Sequence, residues 1–215
     1  MKFFRKFLNI YLDAYFLFVA DIREFDNSDI LNNQIIKLDD IVLLEYKPEF
    51  FSGLVGFCLE NKYFGATFEK VNDNVTNNLN KGYSCVIAID DAKIVGMGWF
   101  CAGNNKLWPD FAKFPDIPEK SALLLTDFVD PEYRGLGIHK NMIFLRKALL
   151  ERQGFYHALT FVGVKNFFSV NNYLKNSKQY RLVYNLIIEF PKNIKVVKFV
   201  NKRREGWVSI DSPHC

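Results

Sequence analysis

The stretch "VDPEYRGLGIHKNMIFLRKALLERQG", residues 129–154, decides how this chain is read. An apolar segment, "SALLLTDFVD", runs into it. A helical pattern leaves it over 136–153, with Ile138, Met142, Ile143, Leu145, Leu149 and Leu150 among its apolar positions and Gly154 placed to cap its end. Between strand and helix stand Arg134, Gly135 and Gly137. The first N–H groups of a helix have no partners inside it, and the helix dipole adds partial positive charge there. Glycine lets the backbone approach a ligand without a Cβ in the way, and Arg134 adds a fixed cation. Such a turn suits phosphate oxygens held mostly by main chain. Two familiar phosphate motifs are excluded: no third glycine follows Gly137 at dinucleotide spacing, and GK[ST] is missing.

Working outward, "HALTFVGV" predicts a strand, "NFFSVNNYLKNS" a short helix, and "RLVYNLIIEF" and "IKVVKFV" two final strands. Upstream, "YSCVIAI" and "KIVGMGWF" around the connector "DDA" predict an antiparallel hairpin. Helical patches fill residues 48–81 and stop at Gly82, and "FLFVADI" and "DDIVLLEYK" predict two earlier strands. The order describes an α/β sheet of mixed direction with helices on both faces. Residues 101–120 carry three prolines and three aromatics without periodicity; this is either a ligand-shaping loop or a surface loop pinned by its own rings.

With 22 Phe and 10 Tyr among 215 residues, the chain has ample material for a core. A net charge of +4 is compatible with an anionic ligand but is not the footprint of a nucleic-acid binder. Cys58, Cys85, Cys101 and Cys215 form no CxxC pair and predict free thiols in a reducing compartment, with no metal site. At the N-terminus, Phe3, Phe4, Phe7, Leu8, Tyr11 and Tyr15 at helical spacing opposite Lys2, Arg5 and Lys6 predict a basic amphipathic helix. It either docks on the domain or makes a weak membrane-surface contact through residues 1–16. Asp13 interrupts the run, which argues against a signal peptide and for a cytoplasmic protein. The expected organisation is an extension over 1–40, a main domain over 41–200 and a peripheral tail over 201–215.

"FVDPEYRGLGIHKNMI" resembles the acyl-CoA motif of the GNAT superfamily of N-acyltransferases, with Val129, Pro131, Tyr133, Arg134 and Gly137 in step. His139 stands where that family has Gly or Ala. "NFFSVNNYLK" resembles a second family segment, with Asn166, Ser169, Tyr173 and Lys175 matching. The Gly-Phe that commonly follows is missing. The resemblance spans residues 83–190 and implies a mostly antiparallel sheet splayed at an acyl-CoA site.

It also implies site roles. Main chain at Phe128 and Val129 pairs with the pantetheine arm, and the N–H groups of Gly135, Leu136, Gly137, Ile138 and His139, with Arg134, hold the pyrophosphate. Asn166 contacts pantetheine, Ser169 lies beside it, and Tyr173 protonates the departing thiolate. Asp127 is the candidate base, because amine acylation needs a proton acceptor. Strand alternation places it on the face of Leu125 and Leu123, and burial there is expected to raise its pKa. The alternative is a structural carboxylate. The implied donor is acetyl-CoA or another acyl-CoA, and the partner a small-molecule amine, by weak analogy an amino sugar of surface-glycan synthesis. A non-catalytic acyl-CoA-binding module is the rival reading.

Overall fold

The structure, a computed structural model, describes residues 13–24, 35–102, 120–163, 166–167, 169–171, 181–190 and 193–197. Most of the expected N-terminal helix, the body of the aromatic loop, Tyr173 and the tail lie outside them. Two units divide the chain: a larger one over 22–109 and 119–158, and a smaller one over the rest.

The larger unit opens with a 3-10 turn at Ile22–Glu24, followed by β2 (Ile35–Leu38) and β3 (Ile41–Glu45). Helices α1 (Phe51–Glu60) and α2 (Phe68–Asn80) come next, then β4 (Ser84–Asp90), β5 (Lys93–Ala102), β6 (Ser121–Val129) and α3 (Ile138–Arg152). β2 to β6 pair in chain order, each antiparallel to the next. The smaller unit holds β1 (Asp13–Asp21), most of β7 (His157–Gly163), β8 (Arg181–Phe190) and β9 (Asn193–Val197), with β1–β8 and β8–β9 antiparallel. The fold is mixed α/β with a mostly antiparallel sheet.

Two local expectations change. Asp13 and Tyr15 belong to β1, so the N-terminal apolar pattern gives way to strand before its last predicted position. Asp39-Asp40 is not the start of a strand but the turn of the β2–β3 hairpin, with Asp39 at φ 53. β2 escaped notice because it is only four residues long and Ile35 and Ile36 stand side by side, so its sequence carries no polar–apolar alternation although its exposure alternates.

Helices cover both faces of the larger unit's sheet. α1 and α2 bury Leu54, Val55, Phe57, Cys58, Val71 and Val75 with Met97 and Trp99 of β5. Each such apolar side chain contributes on the order of 1.5–3 kcal/mol. The Thr67 hydroxyl starts α2 by accepting from the Lys70 N–H. On the other face lies α3. A Cβ on Gly96 would come within 3.3 Å of Ile138, so the glycines of β5 let this helix approach closely. α3 ends as predicted, with Gly154 at φ 81. Among the described residues, no helix is long and apolar enough to cross a membrane.

Candidate active site

The turn that opens α3 is fixed from both sides. Asp130 N–H donates to Val95 O (2.9 Å), and Asp130 Oδ1 accepts from Glu132 N–H (3.0 Å). The Tyr133 hydroxyl donates to Asp90 Oδ2 at 2.7 Å, and Lys93 lies 3.5 Å from Asp130. The "DPEY" segment is thereby tied to the β4–β5 hairpin. Gly135 and Gly137 then adopt φ of 86° and 80°, a left-handed backbone that disfavours side-chain-bearing residues. A Cβ built on Gly135 meets nothing within 4 Å, so space stands open before the first turn of α3. Arg134 donates from Nε to Val129 O at 3.3 Å, and its guanidinium lies 5.7 Å from the Phe128 ring centre. Free N–H groups, left-handed glycines, open space and one arginine are what a pyrophosphate would require.

Behind this turn lies a buried charged cluster. Asp127 Oδ1 stands 2.6 Å from Arg146 Nη1, in ion-pair contact rather than an aligned hydrogen bond. Its Oδ2 is 3.2 Å from His139 Nε2. Arg146 has no exposed surface; Nη1 donates to Trp99 O (2.9 Å) and Nε to Met142 O (3.3 Å). His139 and Arg146 are seven residues apart, two helical turns, so both reach the same carboxylate from one helix face. Gly98 makes the room: a Cβ there would lie 2.7 Å from Asp127 Oδ1 and 3.1 Å from Arg146 Cζ.

Asp127 departs from expectation in two respects. A bulge in β6 pairs Gly98 with Asp127 but Phe100 with Leu124, so Asp127 shares its face with Leu124. Leu125 and Phe128 pack instead toward the α1–α2 core. The expected upward pKa shift is also reversed. Burial pushes the carboxyl up, but Arg146 and His139 outweigh it and hold Asp127 below the ordinary carboxylate range.

The structure thus brings together Asp127, Phe128, Val129, Arg134, Gly135, Leu136, Gly137, Ile138 and His139 in one unit. Asn166 and Ser169 belong to the other, where Asn166 Oδ1 accepts from Ser169 N–H at 3.1 Å and opens a helical turn. Tyr173 lies outside the described residues. Sequence reasoning missed Arg146 and Gly98. The available signal was a charged residue among the apolar positions of α3, four residues after Met142 and three before Leu149.

A model of the acetyltransferase (GNAT) family matches residues 49–177, well over half of the chain and inclusive of the whole turn and cluster. The chain belongs to the GNAT family. Among solved structures, this GNAT chain is similar to the glucosamine N-acetyltransferase region of a fungal multi-domain GH3 β-N-acetylglucosaminidase (15% identity, TM-score 0.56, covering 84% of this chain and 22% of that one). It is also similar to a GNAT acetyltransferase from Colwellia psychrerythraea (14%, TM-score 0.55, 86% and 59%). A third is a tandem GNAT protein from the clavulanic acid biosynthesis pathway (14%, TM-score 0.51, 80% and 50%). At these identities the likeness is one of fold. The chain spans about a fifth of the length of the fungal enzyme and between half and three fifths of the other two. No curated protein matches the chain.

Proposed function

We propose that this GNAT chain is an N-acetyltransferase that moves an acetyl group from acetyl-CoA to a primary amine by direct transfer. One observation carries the proposal: two left-handed glycines open space before a helix start, beside Arg134, within a family of acetyltransferases. Acetyl-CoA, when bound, supplies an acyl group activated as a thioester. In this reading the main chain of Phe128 and Val129 holds the pantetheine arm. The N–H groups of Gly135, Leu136, Gly137, Ile138 and His139, with Arg134, hold the pyrophosphate. Asn166 and Ser169 border the arm, and Tyr173 supplies the proton that the leaving sulfur needs. Direct transfer is supported by the cysteines: burial pushes Cys58 up to about 12 and Cys101 to about 11, so neither offers a thiolate nucleophile near neutral pH.

The acceptor is a small amine, and an amino sugar heads the order of trial because the fungal relative's region is named for glucosamine acetylation. The domain organisation in this reading is an acyltransferase domain over 41–200, with an extension over 1–40 and a tail over 201–215. Thermal unfolding with acetyl-CoA, coenzyme A and free pantetheine tests donor binding, since a ligand specific for the native state raises the melting temperature. Turnover with glucosamine, amino acids and polyamines then tests transfer. Donor binding with no turnover on any amine favours a non-catalytic acyl-CoA-binding module, a reading that the His139 departure supports. No shift with any of the three ligands at saturation overturns both.

A further inference from the structure

Asp127 and Arg146 already join β6 to α3, so a structural tie between these elements needs no imidazole. The chain nevertheless places His139 against the same carboxylate, at a position where the family pattern has Gly or Ala. The three groups differ in access. Side-chain exposure is 0% for Arg146, 12% for Asp127 and 38% for His139, so only the imidazole presents itself to a solute. It does so on the first turn of α3, beside the glycine turn and next to the end of β6. Arg146 balances the charge of Asp127, and the carboxylate orients the ring. With Nε2–H donating to Asp127, the lone pair of Nδ1 is left free.

From this arrangement, and resting on the acetyltransferase reading, we infer that His139 takes the proton from the acceptor amine, with Asp127 and Arg146 as its positioning residues. One proton leaves the substrate ammonium and ends on Nδ1, which gives a neutral amine nucleophile and an imidazolium. Asp127 Oδ2, 3.2 Å away, faces the new charge. Histidine is the side chain suited to this exchange between about pH 5 and 8. Asp127, held below the ordinary carboxylate range, remains an acceptor throughout that interval. The charged groups of this cluster are Asp127 from β6, against the ring, and Arg146 from α3, on the other oxygen of the same carboxylate. The pairing of a base with an orienting carboxylate is the general arrangement of an activated proton acceptor.

The test uses the full chain and His139→Gln, which keeps an amide donor for Asp127 but has no basic nitrogen. Nitrogen-15 NMR of the imidazole at pH 7.5 reads the tautomer without any acceptor: Nε2 protonated and Nδ1 bare is expected, with the preference lost in Asp127→Asn. Calorimetry with acetyl-CoA separates donor binding, to which His139 lends its main-chain N–H, from transfer: kcat with the best amine of the panel is expected to fall about 100-fold. Protonated Nδ1 in the wild type, unchanged kcat in the variant, or a loss confined to Kd each overturns the inference. Failure of the wild type to bind acetyl-CoA instead removes the acetyltransferase reading, and the inference with it.

Discussion

Gly98→Ala tests whether the buried cluster has the geometry described. Gly98 does not have a positive φ, so its backbone accommodates alanine and the effect is one of contact. The new Cβ would lie 2.7 Å from Asp127 Oδ1, 3.1 Å from Arg146 Cζ and 3.2 Å from Arg146 Nε. Arg146 has nowhere to withdraw, because it is fully buried and bonded to the carbonyls of Trp99 and Met142. Overpacking a filled site costs about 1–3 kcal/mol. Parting a buried ion pair costs roughly 3–5 kcal/mol when one charge loses its partner, and here a partial displacement adds a fraction of that. A destabilisation of about 2–4 kcal/mol follows, which for a chain of this size lowers Tm by roughly 4–16 °C. Urea and thermal unfolding measure it. Gly56→Ala is the internal control: it is in the middle of α1 with nothing within 4 Å of an added Cβ, and it is expected to gain about 0.5–1 kcal/mol. A Gly98→Ala protein within about 0.5 kcal/mol of wild type refutes the placement of Asp127 over Gly98.

Other outcomes follow from the same geometry. Gly137→Ala forces a left-handed alanine, with an expected loss of about 1–2 kcal/mol and a smaller thermal shift by acetyl-CoA; an undiminished ligand shift counts against the turn as a phosphate cradle. Asp127 has a depressed folded pKa, so its stabilisation is complete above the unfolded value of about 3.9 and is lost as pH falls through the folded value. The stability gap between wild type and Asp127→Asn should therefore begin to narrow below about pH 3.9 and close only once the pH lies below the folded value, and a gap that does not narrow on acidification contradicts the pairing. Burial, with Arg146 nearby, pushes Lys147 down to about 6, so the unfolded chain holds a proton that the native one lacks from there to about 10.4. Wild-type stability should rise with pH across that window relative to Lys147→Met, and parallel pH curves would contradict the burial of Lys147.

The sequence by itself determined what depends on neighbours along the chain. The period of α3, its end at Gly154, the β4–β5 hairpin and the glycine turn before α3 all rest on local dihedral preferences and patterning within a few residues. The turn could be read as a candidate phosphate cradle because a helix start and two glycines suit that chemistry. Only the tertiary structure decided the state of Asp127. Its face depends on a bulge that changes strand parity, a feature with no side-chain signature in "LLLTDFV". Its charge depends on Arg146, nineteen residues further along by the difference of their numbers, and on the absence of a Cβ at Gly98, on a different strand. Burial alone predicts a raised carboxyl pKa; a cation brought to 2.6 Å by folding reverses the sign. His139, a departure when set against the motif, acquires a partner only because β6 and α3 are packed together.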